Sequence, residues 1–184
     1  MQSVLDVQAS EPVPASSDIF EPRLPIFTSA SPVGCLILAC GNTLRSDDGV
    51  GPFLAEWAAE RFSENPDVRV VSTQQWTPDL AERIAEARSV LFVDSSQESS
   101  PGRVSLIPVA AQDGDAAVTP HHLGAPALLG LTHELYGSRS AHALMLTVGT
   151  GSTELGESFS ERVEAALPRA RGVLEKAVLR FLAN

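Results

Sequence analysis

The sequence predicts an α/β fold, a three-layer αβα sandwich built on a mostly parallel, twisted sheet of about five strands. Three observations carry that expectation. The run 35–40, CLILAC, is apolar and uncharged, which suits a central strand covered on both faces. From there to the C-terminus, strand-like and helix-like stretches alternate. A loop rich in glycine and aspartate, from Gly41 to Gly51, joins the first strand to the first helix. In open α/β sheets that edge is where ligands bind. The right-handed crossover rule then sets helices on both faces of the sheet.

The elements follow in order. Residues 1–31 mix Pro12, Pro14, Pro22 and Pro25 with serine and acidic residues and hold no sustained period. They read as a flexible or loosely docked N-terminal tail, ahead of one domain at 32–184. Gly41 and Asn42 end the first strand, because both tolerate the tight backbone of a strand exit. Pro52 favours the first turn of a helix, and Phe53, Leu54, Trp57, Ala58 and Phe62 recur at helical spacing to about Ser63. Asn65-Pro66-Asp67 is a turn, and 68–72 is a short strand. Thr77-Pro78-Asp79 opens a helix, with Thr77 as cap and Leu80, Ile84 and Ala87 on its inner face. The apolar strand 90–94 ends abruptly on Asp94. Pro101-Gly102 turns the chain into a strand at 104–109. A polar stretch then leads through Pro120-His121-His122-Leu123-Gly124 to a helix at 126–136 and a last strand at 143–149. Ser158 and Glu161 have the spacing of a capping box. Behind them Val163, Ala166, Leu167, Ala170, Val173, Leu174, Val178 and Leu182 line one side of a long helical tract, which Pro168 should kink or split.

Composition narrows the function. The length of 184 residues suits one domain with a sizeable core. A net charge of -10 argues against nucleic acid and against an anionic membrane surface. It favours a neutral or basic protein segment, or a small molecule, as partner. No run reaches the roughly 18 apolar residues of a membrane span, and the N-terminus lacks the pattern of a signal peptide, so a cytoplasmic location is expected. Cys35 and Cys40, five apart on one strand, point to opposite faces and read as buried thiols.

Three polar residues fall where this architecture predicts a site. Asp48 follows the first strand, Asp94 closes the strand at 90–94, and His121 stands in the loop after the strand at 104–109. If these strands are parallel neighbours, their outgoing loops converge at one edge. Two carboxylates and an imidazole then form a facial ligand set for a divalent metal, with positions open for water or substrate. Each residue also has a plainer reading. Asp48 can cap the following helix, Asp94 can bond loop amides, and His121 or His122 can be a surface histidine. Asp47 is expected to face solvent or loop amides, and His133 and His142 to lie at the surface or at a helix end.

Other chemistries fit worse. The glycines at 41, 49 and 51 lack the spacing of a dinucleotide fingerprint, and no Walker-type lysine follows; the one lysine is Lys176. No G-x-S-x-G elbow is present. Cysteines inside a buried strand suit a nucleophile poorly.

GNTLRSDDGVG after an apolar strand resembles the opening signature of the [NiFe]-hydrogenase maturation endopeptidases. VLFVD, PG, PHHLGAPALL, LTVGTG and LGESFSERVEAAL follow in the same order as that family's later segments, so the resemblance spans about residues 34–182. It implies an enzyme that cuts a C-terminal extension from the hydrogenase large-subunit precursor after nickel insertion. The family's metal-contacting residues would fall on Asp48, Asp94 and His121, with nickel presented by the substrate, no organic cofactor, and the enzyme a monomer. His121 matches the P-H-x-L-G frame better than His122. The chain departs from the pattern at Ala39, where many members have glycine, and at Thr150-Gly151-Ser152, which lacks a common proline. The segment 75–80 resembles the branch serving soluble, nicotinamide-linked hydrogenases. Two rival readings are a metal-insertion partner that does not cut and a metal-dependent phosphohydrolase, for which Arg45 is the nearby cation.

Overall fold

The computed structural model describes residues 32–112, 123–137 and 142–183. The tail at 1–31 and both His121 and His122 lie outside the described residues. In chain order the elements are β1 (Val33–Cys40), α1 (Val50–Arg61), β2 (Val68–Thr73), α2 (Leu80–Ala85), β3 (Ala87–Ser96), β4 (Val104–Pro108), α3 (Ala125–Tyr136), β5 (His142–Gly149) and α4 (Glu161–Leu182). The strands form one open five-stranded sheet in the order β2-β1-β3-β5-β4.

β1 is an interior strand, parallel to β2 on one side and to β3 on the other. Its apolar run is buried on both faces, as its lack of charge requires. Cys35, Ile37 and Ala39 face a core closed by α1 and α4. Leu36 and Leu38 face a second core closed by α2 and α3. Alternation along the strand thus divides the two thiols, with Cys35 in the first core and Cys40 against the second. Both cysteines are free.

The structure corrects several local expectations. β4 pairs antiparallel with β5, so it is not a parallel neighbour of β1 and β3. The connection from Ser96 to Val104 is short and turns at Gly102, whose φ is 76°. A parallel return needs a crossover of about a dozen residues or more. A short loop leaves β4 starting at the edge where β3 ends, and the strand must run back. The predicted strand at 90–94 is longer, spanning Ala87–Ser96, so Ala87 begins a strand rather than extending the preceding helix. Thr77 does not cap α2 with its side chain. Its carbonyl instead accepts the Leu80 N–H at 3.1 Å in a short turn before the regular helix.

α4 is one continuous helix through Pro168, not two pieces. Pro168 is exposed, and Val163, Leu167, Ala170 and Leu174 on either side of it are buried in the same core. Burial of that stripe offsets the roughly 3 kcal/mol an interior proline costs. The cap of α4 is Ser160, not Ser158, and its hydroxyl is not used on its own helix. It donates to Asp47 Oδ2 at 2.7 Å, a charge-assisted bond that turns the side chain toward the β1 loop. Among the described residues no helix is long and apolar enough to cross a membrane.

Candidate functional site

The site begins with the chain reversal after β1. Gly41 has φ 144°, a conformation side chains disfavour, and a Cβ there would collide with the Asp48 carbonyl. Asn42 folds the next residues with an Asx turn, its Oδ1 accepting the Leu44 N–H at 3.0 Å. A single 3₁₀ turn, Ser46–Gly49, then delivers the chain into α1. Gly51, in the first turn of α1, lies so close to β1 that a Cβ would overlap the Cys40 carbonyl. Small residues at 41 and 51 therefore let the loop sit directly on the carboxyl edge of the sheet.

A second loop, after β5, fastens the first. Ser46 N donates to Gly156 O at 2.7 Å, Gly156 N to Leu44 O at 3.0 Å, and Asp47 N to Ser152 O at 3.1 Å. Asp47 is fully buried at this junction. Its carboxylate accepts from Gly151 N at 2.6 Å, Ser152 N at 2.9 Å, Ser160 N at 2.6 Å and the Ser160 hydroxyl at 2.7 Å. Burial pushes its carboxyl up, but the donors from Ser160, Ser152 and Gly151 outweigh that and hold it below the ordinary carboxylate range. Asp47 thus bonds loop amides rather than solvent, and locks the β1 loop to the start of α4.

Asp48, its neighbour, points to different partners. Its Oδ2 accepts the Asn42 N–H at 3.0 Å and its Oδ1 the Ser95 hydroxyl at 2.8 Å. Gly49 is the residue capping α1, without a side-chain bond, so Asp48 is not serving as that cap. Asp94, at the end of β3, accepts the Ser95 N–H on Oδ1 at 2.7 Å. Burial pushes the Asp94 carboxyl up to about 7; the Ser95 N–H acts against the rise and the charge of Asp48 adds to it. The two carboxylates therefore feel each other and share one residue, Ser95, as donor.

Both line a cleft of about 850 Å³ at the carboxyl edge of the sheet, with Trp76, Ser95, Leu123 and Arg45 among its other walls. That volume lies within the usual range for ligand sites. Trp76 is buried and braced edge-on against Phe92, with ring centroids 5.2 Å apart. Arg45 is exposed and its Nε donates to Thr153 O at 3.2 Å. Cys40 also borders the cleft; burial and the charges of Asp94 and Asp48 push its thiol up to about 12, against a backbone bond from Trp76. Such a thiol is a poor nucleophile near neutral pH.

Of the predicted set, the structure brings Asp48 and Asp94 together. The third member, His121, lies outside the described residues, and among the described residues no cluster of three His, Cys, Asp or Glu could hold a metal ion. His142 is exposed and His133 lies in the last turn of α3. Sequence reasoning missed Ser95 and the backbone of Asn42 as the groups holding Asp48, and it missed the buried clamp on Asp47. No spacing in the sequence signals them, since the bonds of Asp47 span more than a hundred residues.

No family model and no curated protein matches this chain. Solved structures do. A hydrogenase 2 maturation peptidase from Thaumarchaeota archaeon SCGC_AB-539-E09 is similar at 27% identity and a TM-score of 0.58, covering 78% of this chain and 97% of that one. The [NiFe] hydrogenase maturation protease HycI from Thermococcus kodakarensis KOD1 is similar at 25% identity and a TM-score of 0.58, covering 82% and 92%. The hydrogenase maturating endopeptidase HybD from E. coli shares the fold at 19% identity and a TM-score of 0.63, covering 79% and 92%.

Proposed function

We propose that this chain, which belongs to the hydrogenase maturation protease family, is an endopeptidase that removes the C-terminal extension of a [NiFe]-hydrogenase large-subunit precursor after nickel insertion. The observation that carries the reading is the pair of carboxylates, Asp48 and Asp94, joined through Ser95 in a cleft at the carboxyl edge of the sheet. His121, by its place in the P-H-x-L-G frame, is the third member of the set.

The nickel belongs to the substrate in this reading. Hard carboxylate oxygens with one imidazole bind nickel only modestly, which suits docking on a metal already held by the precursor rather than storing one. The donor set fits: two acidic side chains face one cleft, and Arg45 is the one basic residue among the described residues lining it. When nickel is docked it supplies positive charge beside the scissile peptide. The chain's own residues do the rest. Asn42 and Ser95 hold Asp48 in a fixed orientation, the Ser95 N–H holds Asp94, and the Asp47 clamp keeps the whole loop at the sheet edge. Trp76 and Leu123 supply an apolar wall against the peptide.

The phosphohydrolase reading is weaker, because two carboxylates repel a phosphate and Arg45 is already engaged with a carbonyl. The test uses precursor with and without nickel, followed by gel mobility. The expected result is processing of nickel-loaded precursor and none of the nickel-free form. Efficient cutting of both forms would remove nickel recognition, and cutting of neither would favour a metal-insertion partner.

A further inference from the structure

Ser95 carries two donors that reach two different carboxylates. Its N–H bonds Asp94 Oδ1 at 2.7 Å and its hydroxyl bonds Asp48 Oδ1 at 2.8 Å. The next residue does nothing similar: the Ser96 hydroxyl pairs with that of Ser99 at 3.1 Å, inside the following loop. Two nearby carboxylates repel, and the terminal torsion of an aspartate is soft, so such a pair does not hold one arrangement unaided. A donor residue common to both fixes their relative orientation. With Asn42 N on Asp48 Oδ2, Asp94 Oδ2 is left as the carboxylate oxygen with no hydrogen bond among the described residues. Each bonded oxygen still has a lone pair for a cation.

We infer that Ser95 is a positioning residue, which sets the Asp48 and Asp94 oxygens at the separation a divalent cation needs. The inference rests on the proposed docking of nickel at these two residues. Ser95 acts through the carboxylates and does not itself touch the metal. Groups that orient metal ligands in this way typically change affinity or activity by about 10- to 100-fold when removed.

The test is calorimetric titration of the full chain with Ni²⁺, alongside kinetics on nickel-loaded precursor. Ser95→Ala and Ser95→Cys, which lose the strong donor, should bind Ni²⁺ about tenfold or more weakly and show a lower kcat, while remaining folded with a cooperative melting transition lowered by no more than a few degrees. Ser95→Thr, which keeps the hydroxyl, should stay close to wild type, as should the control Ser96→Ala. Wild-type affinity in Ser95→Ala, or affinity in Ser95→Thr as weak as in Ser95→Ala, overturns the role, as does a wild-type chain that binds no Ni²⁺. A wild-type chain that binds Ni²⁺ but cuts nothing overturns the protease reading and leaves the titration to decide Ser95.

Discussion

Adjacent aspartates in this chain do opposite jobs because their surroundings differ. Asp47 is buried and takes four hydrogen bonds, whereas Asp48 faces the cleft with two. Asp47→Ala strands several buried donors at once and should lower unfolding free energy by about 2–4 kcal/mol in urea titrations. An unchanged midpoint would mean the clamp is not structural. Asp94 is the contrary case. Its folded pKa, pushed up to about 7, lies above the ordinary value of 3.8, so the folded form holds a proton the unfolded form has lost. Stability from this group is therefore highest below about pH 4, declines as pH rises, and levels off above about pH 7. Asp94→Asn should remove that decline, so its advantage over wild type in metal-free buffer should grow from pH 4 to pH 7.5, by about 1–3 kcal/mol. A constant difference across that range would contradict the assignment. The placement of Asp48 and Asp94 at the carboxyl edge was legible in the sequence, because Asp48 follows β1 in its outgoing loop and Asp94 closes the apolar run of β3. Ser95 was not: a serine after an aspartate at a strand end has no distinguishing spacing, and its role exists only once Asp48 arrives from 47 positions away.

At the scale of elements, the sequence located each strand and α-helix among the described residues, and the errors cluster where tertiary contacts overrule local signals. Pro168 reads as a break, yet α4 runs on because its buried stripe continues past it. The proline still forfeits one backbone bond on an exposed face, so Pro168→Ala should stabilise the protein by about 1–3 kcal/mol, measured by chemical denaturation. Loss of stability would show that the ring makes a contact the helix needs. The reversal of β4 is a different kind of error. Its strand character is local, but its direction follows from the short loop behind Ser96 and from β5 inserting between it and β3. Convergence of the loop after β4 with those after β1 and β3 needs parallel strands, and β4 runs the other way, so strand direction does not bring His121, which lies outside the described residues, to the two aspartates. Leu123 and Gly124, which the chain reaches just before α3, nevertheless line the same cleft.

For the whole molecule, the two-faced core positions the chemistry. α1 and α4 close one side, α2 and α3 the other, and the loops after β1 and β5 interlock above the carboxyl edge. The fold class was readable from alternation alone, and the architecture agrees with hydrogenase maturation endopeptidases of known structure. On that architecture the chain carries a cleft with two carboxylates, and the central claim is that these residues are needed to cut peptide. Intact-mass spectrometry of a nickel-loaded large-subunit precursor tests it most directly. The account predicts loss of the C-terminal extension with the wild-type chain and an unaltered precursor with folded Asp48→Ala or Asp94→Ala. Full removal of the extension by both variants would contradict it.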